Sequence, residues 1–194
     1  VYPLYEGKMF WHFDHRYGTY ENQTEKQANK GVLPRVPDEM HSAPDYQIQP
    51  RYWVDARLTK ETLAGDAGAP WLFSWRDVGP SERTFIGTVL PLTAMGHASP
   101  YLATEAPAED ALALTAILSS LVVDYAVRQK SSRMTFFIVE QLPMLERTKL
   151  DEAPTWLGSE VRAWLNNRAI ELFYTNWELQ GLAESIGRDT PPFR

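Results

Sequence analysis

Residues 109–130, EDALALTAILSSLVVDYAVRQK, constrain the fold more than any other stretch of the chain. Leu114, Ile117/Leu118, Leu121/Val122 and Tyr125 recur at the three-to-four spacing of one buried helix face. Glu109 and Asp110 suit the positive end of the helix dipole, and Arg128 and Lys130 the negative end. The pattern predicts one helix over 109–130, with Leu118, Leu121 and Tyr125 buried and Glu109, Asp110 and Arg128 exposed. Such a stripe must pack on an apolar layer, and the sequence before it supplies one.

RYWV (51–54), WLFSWRDV (71–78) and RTFIGTVLP (83–91) alternate or run apolar and predict strands. GHASPYLAT (96–104) continues with a turn and a further strand. Residues 22–50, with four prolines and little periodicity, read as a long loop. TKETLAGDAGAP (59–70) reads as one turn of helix followed by a Gly-rich turn. MTFFIVEQLPML (134–145) reads as a buried strand stopped by Pro143. A second long helix is expected from an N-cap at Ser159, followed by Glu160 and Arg162, through Trp164, Leu165, Ile170, Leu172 and Phe173 toward Trp177. LQGLAESIG predicts a last short helix. Strands and helices do not alternate regularly, so the expected class is α+β: a single domain over 1–194 with a mixed sheet, two long helices and long irregular loops.

The 194 residues contain no cysteine, which removes disulfides, thiolate metal sites and a cysteine nucleophile. No apolar run approaches the roughly 20 residues that span a bilayer, and no signal peptide opens the chain. A cytoplasmic protein without membrane contact is expected. The chain starts at Val1 within structured-looking sequence, as an excised domain would. Net charge is −6, which opposes indiscriminate nucleic-acid binding. The first sixty residues are nonetheless balanced, with eight Lys/Arg against eight Asp/Glu.

PLYEGKMFWHFDHRYGTYE (3–21) is dense in both rings and charges. His12, Asp14 and His15, with His41 and His97, offer metal-ligand chemistry. His12 and His15 lie three apart in an extended-looking segment, which puts them on opposite faces, so no metal site is expected. A nucleophile elbow, a Walker lysine and a Rossmann glycine pattern are missing, so no catalytic or cofactor-binding residue is assigned. Trp53, Trp71, Trp164 and Trp177 are expected to build core. Basic groups beside rings are the more pointed signal: Lys8, His15 and Arg16, Arg51 before Tyr52-Trp53, and Arg76 after Trp75. An ordinary solvated face explains them equally well.

These blocks resemble the segment that follows the catalytic domain in adenine-specific DNA methyltransferases of type IIG-like restriction–modification and phage-defence systems. The resembling stretches are 3–16, 50–54, 76–97, 117–130, 136–143 and 173–194, in order over nearly the whole chain. Two departures stand out. The adenine-holding N-P-P-Y tetrapeptide is absent, the one Pro-Pro pair being Pro191-Pro192, and Glu140 stands where relatives often carry lysine. The resemblance therefore implies a DNA target-recognition domain that is not an enzyme by itself. Its expected partners are double-stranded DNA and the missing N-terminal methyltransferase domain, which would bind S-adenosylmethionine. The alternative is a docking domain that packs on the catalytic domain and touches DNA little.

Candidate DNA contacts are Lys8, His15, Arg16, Arg51, Arg76, Arg83, Arg128, Lys130 and Arg133. Several of them are expected to share one face. Lys8, His15 and Arg16 are expected to face DNA or the missing domain, held in place by Glu6 and Asp14.

Overall fold

The computed structural model describes residues 1–64, 70–79 and 83–193. The fold is α+β, with two three-stranded sheets among the described residues. Strand β1 (Tyr2–Tyr5) leads into the ring-rich turn of residues 6–20, and the segment after it carries two short helices, α1 (Glu25–Asn29) and α2 (Asp38–His41). Neither helix buries a residue, as the lack of periodicity anticipates. Thr24 opens α1 with a capping box closed by Gln27. Then come β2 (Trp53–Val54) and α3 (Ala56–Ala64), a longer helix than the single turn expected. The Gly-rich turn expected after it falls on residues 65–69, outside the described residues.

Strands β3 (Trp71–Trp75) and β4 (Gly87–Pro91) form an antiparallel hairpin, with Phe73 opposite Val89 and Ser74 opposite Thr88. Short strands β5 (Ala94–Met95) and β6 (Tyr101–Leu102) follow. One sheet runs β4-β3-β6 and is antiparallel throughout; the other runs β2-β1-β5, with β5 parallel to β1. The chain thus leaves one sheet at Pro91 and joins the other at Ala94. The Thr93 hydroxyl donates to the Pro3 carbonyl at 2.6 Å across that step.

Period-two side-chain alternation explains the core. Trp71, Phe73 and Trp75 point from β3 into the larger cluster, joined by Val89 from β4. Leu90, one residue on, points the other way, into a second cluster with Tyr5, Met9, Phe10, Val36 and Ile48. A strand buried on both faces needs apolar residues on both, which Val89 and Leu90 supply in β4.

Gly87 faces the ring of Phe73, where a Cβ would lie 2.6 Å from Phe73 Cζ and 3.1 Å from Phe85 Cε1. Both rings are fully buried, so neither can swing aside. Gly87→Ala is expected to destabilise the protein by about 1–3 kcal/mol, read as a lower urea midpoint at unchanged slope. A variant with the wild-type midpoint would show that the hairpin yields.

The 109–130 segment is two helices, α4 (Ala108–Leu118) and α5 (Leu121–Arg128), bent by 56°. Ser119 ends the first, and Ser120 caps the second by accepting from the Val123 amide at 3.3 Å. The bend re-aims the stripe. Leu118 is buried as expected, but Leu121 is 75% and Tyr125 68% exposed, while Val123, Asp124 and Val127 turn inward. Glu109 and Arg128 are exposed. Asp110 is largely covered, paired with Arg147 and with Arg162, each at 2.7 Å.

The expected strand at 134–145 is instead a short helix, α6 (Phe136–Val139). Thr135 turns the chain into it before any ladder can form; the one bridge near it pairs Arg133 with Val78. After α7 (Arg147–Leu150) comes α8 (Val161–Phe173), whose N-cap is Glu160 and not Ser159. Helix α8 buries Asn166, Ala169, Ile170 and Phe173, an i, i+3, i+4, i+7 face laid against α4. A 3₁₀ turn (Trp177–Leu179) and α9 (Gln180–Ser185) complete the core. Of the tryptophans expected to pack, only Trp71 is buried; Trp53, Trp164 and Trp177 are exposed, and the fully buried indole is Trp75. No single helix among the described residues is long and apolar enough to cross a membrane.

Candidate nucleic-acid interface

The hairpin end after Trp75, the turn after β1 and the loop after β5 meet around a groove. It consists of two adjoining depressions of about 360 and about 450 Å³ that share Gly96 and His97. Lys8 and Arg76 line the first; Asp77, Arg133, Thr135 and Phe136 line the second. Backbone hydrogen bonds from Arg76 to Ile86, from Asp77 to Ala98 and from Met134 to Asp77 hold the walls together. The Trp75 indole donates to the Met134 carbonyl at 2.6 Å, fixing residue 134 against the core. Phe136 meets Trp75 edge-on at 5.2 Å, leaving half of its ring in solvent.

The basic side chains of the groove differ in what they have left to offer. Arg76 donates through Nε and Nη2 to the Phe10 carbonyl and lies 4.7 Å over the Trp11 ring. Burial pushes its guanidinium down to about 10, so it is a clamp between β3 and the N-terminal turn as well as a lining group. Lys8 pairs with Glu6 at 3.3 Å and lies 5.1 Å over the Tyr20 ring. Desolvation lowers its pKa, but the Tyr20 hydroxyl and Glu6 outweigh that and raise it. Arg133 reaches Asp77 at 2.5 Å, and that contact raises its pKa. Each exposed cation here carries its own carboxylate, so the groove is studded with charge yet close to neutral.

The remaining candidates lie elsewhere. His15 and Arg16, expected to face DNA or another domain, are fully buried. Arg16 donates to the carbonyls of Ala43 and His41 at 2.8 Å, and to Thr175 at 3.2 Å. That makes it an internal tie, not a surface cation. His15 Nε2 is 3.8 Å from Glu178 Oε2, but burial beside Arg16 holds His15 at about 3, and burial lifts Glu178 to about 7. The two are therefore no ion pair near neutrality. Asp14 accepts the Arg16 backbone amide and contacts the His41 ring instead of pairing with a side chain in its own stretch.

Arg83 is spent on the carbonyls of Phe85 and Ser119. Arg83 and Arg128 both converge on Asp124, which also accepts the amides of Thr84 and Phe85 at 2.9 and 2.8 Å. Lys130 reaches the Gln141 carbonyl, and Arg51 lies over the Tyr52 ring. So the fold brings Lys8, Arg76 and Arg133 to one groove and Arg83 and Arg128 to one aspartate, while His15 and Arg16 leave the surface. The sequence reading missed Asp77, Thr135 and Phe136. The signal for Asp77 was its place beside Arg76 just past a strand end; nothing local marked the other two.

Among the described residues no group of three or more His, Asp and Glu side chains is disposed to hold a metal ion. No protein-family model, curated protein or solved structure matches this chain.

Proposed function

We propose that this chain is a DNA target-recognition domain of an adenine-specific DNA methyltransferase, of the restriction–modification or phage-defence kind, and that it is non-catalytic by itself. On this reading, S-adenosylmethionine binds to the missing methyltransferase domain and this chain contributes grip and sequence choice. The observation that carries the proposal is the groove. It joins Lys8, Arg76 and Arg133, three basic residues from distant stretches of the sequence, with an exposed ring at its rim. The ordered resemblance of the whole chain supports it. Net charge of −6 and the paired carboxylates imply weak binding by the chain alone.

Binding is tested by fluorescence anisotropy of a labelled duplex over a salt series. Lys8→Ala is expected to weaken binding to all sequences alike and to reduce the log–log salt slope by about one unit. A folded variant with unchanged affinity and slope would remove Lys8 from the interface.

One observation favours the docking alternative. The outward face of α5 exposes Leu121, Val122 and Tyr125, a row of apolar side chains on a helix. If the protein binds no duplex at low salt, that reading takes the place of the first.

A further inference from the structure

Arg133 is held at its base and open at its tip. Its backbone bridges Val78, and its amide donates to Ser131 Oγ at 3.0 Å. The next residue, Met134, is fully buried, with its amide on the Asp77 carbonyl and its carbonyl under the Trp75 indole. One guanidinium nitrogen, Nη2, donates to Asp77 Oδ2, while the side chain as a whole stays 64% exposed. Asp77 is itself fixed, its amide on the Ala98 carbonyl and its side chain largely covered. Arg76 and Arg83, by contrast, spend their donors on backbone carbonyls, and Lys8 carries a compact ammonium with no directional fork.

A carboxylate beside an arginine has two consequences. It cancels most of the net charge that would draw a phosphate, and it fixes the plane in which the remaining N–H groups point. Directional hydrogen bonding survives; long-range attraction does not. Such an arginine suits a ligand edge with two adjacent acceptors, and in a duplex that edge is the O6/N7 side of guanine. We propose that Arg133 reads a guanine through the major groove, with Asp77 as its positioning residue and the exposed faces of Thr135 and Phe136 against the neighbouring base. This rests on the DNA-recognition reading above and names the specificity residue within it.

The test is selection of a randomised duplex pool by the protein, followed by competition among single-base variants of the selected site. Wild type is expected to prefer guanine at one position by on the order of tenfold or more. Arg133→Ala should abolish that preference and leave the other positions and the salt slope unchanged. Arg133→Lys keeps the charge but not the fork, so it should fail to restore the preference. Asp77→Asn, with the melting temperature checked, should reduce the preference without a uniform loss of affinity; if it does not fold, the lysine variant still decides.

Three results overturn the inference while leaving DNA recognition standing. They are rescue by lysine, a uniform loss in Arg133→Ala with the salt slope reduced by about one, and a base preference unaffected by either Arg133 variant. A wild-type protein that binds no duplex at low salt ends both.

Discussion

Arg16→Ala is expected to lower the unfolding free energy by about 4 kcal/mol, from buried carbonyls left without a donor and the lost packing of a buried side chain. The guanidinium is fully buried and joins three parts of the chain: the turn at residue 16, the carbonyls of His41 and Ala43, and Thr175 near the C-terminus. Removing it takes the donor from the carbonyls of His41 and Thr175, which cost about 1–3 kcal/mol each when left unpaired in the interior. The carbonyls of Ala43 and Tyr46 are spared, because the Tyr46 amide also donates to the first at 3.2 Å and Asn176 Nδ2 to the second at 2.9 Å. Arg16→Lys should recover only part of the loss, since one ammonium cannot span acceptors arranged for a planar fork. Typical domain stabilities are ~5–15 kcal/mol, so the alanine variant should lose between about a quarter and most of the total. Urea unfolding measures this, and a loss below about 1 kcal/mol would mean that water replaces the guanidinium.

Acid is expected to destabilise the protein from about pH 6.5 downward, and Glu178→Gln to steepen that fall. Burial holds His15 at about 3, and burial with the Arg83 charge holds His12 at about 4. Below the ordinary histidine value of roughly 6.5, the unfolded chain takes up two protons that the fold refuses, so stability drops with pH. Burial raises Glu178 to about 7 against the lowering effect of Arg16. The fold therefore keeps a proton there that the unfolded chain sheds, and this opposes the histidines between about pH 4.5 and 6.5.

The net uptake on unfolding in that window is one proton, a slope of about 1.4 kcal/mol per pH unit. With glutamine at 178 it becomes two protons and roughly double the slope. Arg16, Asp14, His41 and the Tyr5 hydroxyl share the same pocket, so their charges are already part of these values. Denaturant unfolding from pH 4.5 to 6.5 in both proteins is the measurement. Parallel slopes would place Glu178 at an ordinary carboxylate pKa.

The hairpin was legible because β3 and β4 are short apolar runs with both ends marked, and a strand buried on two faces has no alternative pattern to hide in. Helix α8 was legible in its existence and at Ile170 and Phe173, but not in its cap or in the rest of its face, where Asn166 and Ala169 turn inward and Trp164 and Leu172 outward. The bend between α4 and α5 was written as Ser119-Ser120, two residues that compete for backbone hydrogen bonds and open helices readily. Apolar periodicity on both sides masked it. Phe136–Val139 carries strand-prone residue types, but Thr135 and the tie at Met134 decide its path, and those contacts are long-range. For the groove, Lys8, Arg76 and Arg133 could be picked out as bases beside rings. His15 and Arg16 carry the same local signal and end up inside, because their partners lie up to 159 residues away.

That separation has a consequence for the order in which the molecule can be made. During synthesis Arg16 leaves the ribosome long before Thr175, Asn176 and Trp177 exist, and those three residues meet Arg16, Tyr46 and Pro44 respectively. Until residue 175 is made the guanidinium has only its His41 and Ala43 acceptors, so its tie to the rest of the fold forms after the hairpin and α4 are already in place. That closure waits for residues 175–177.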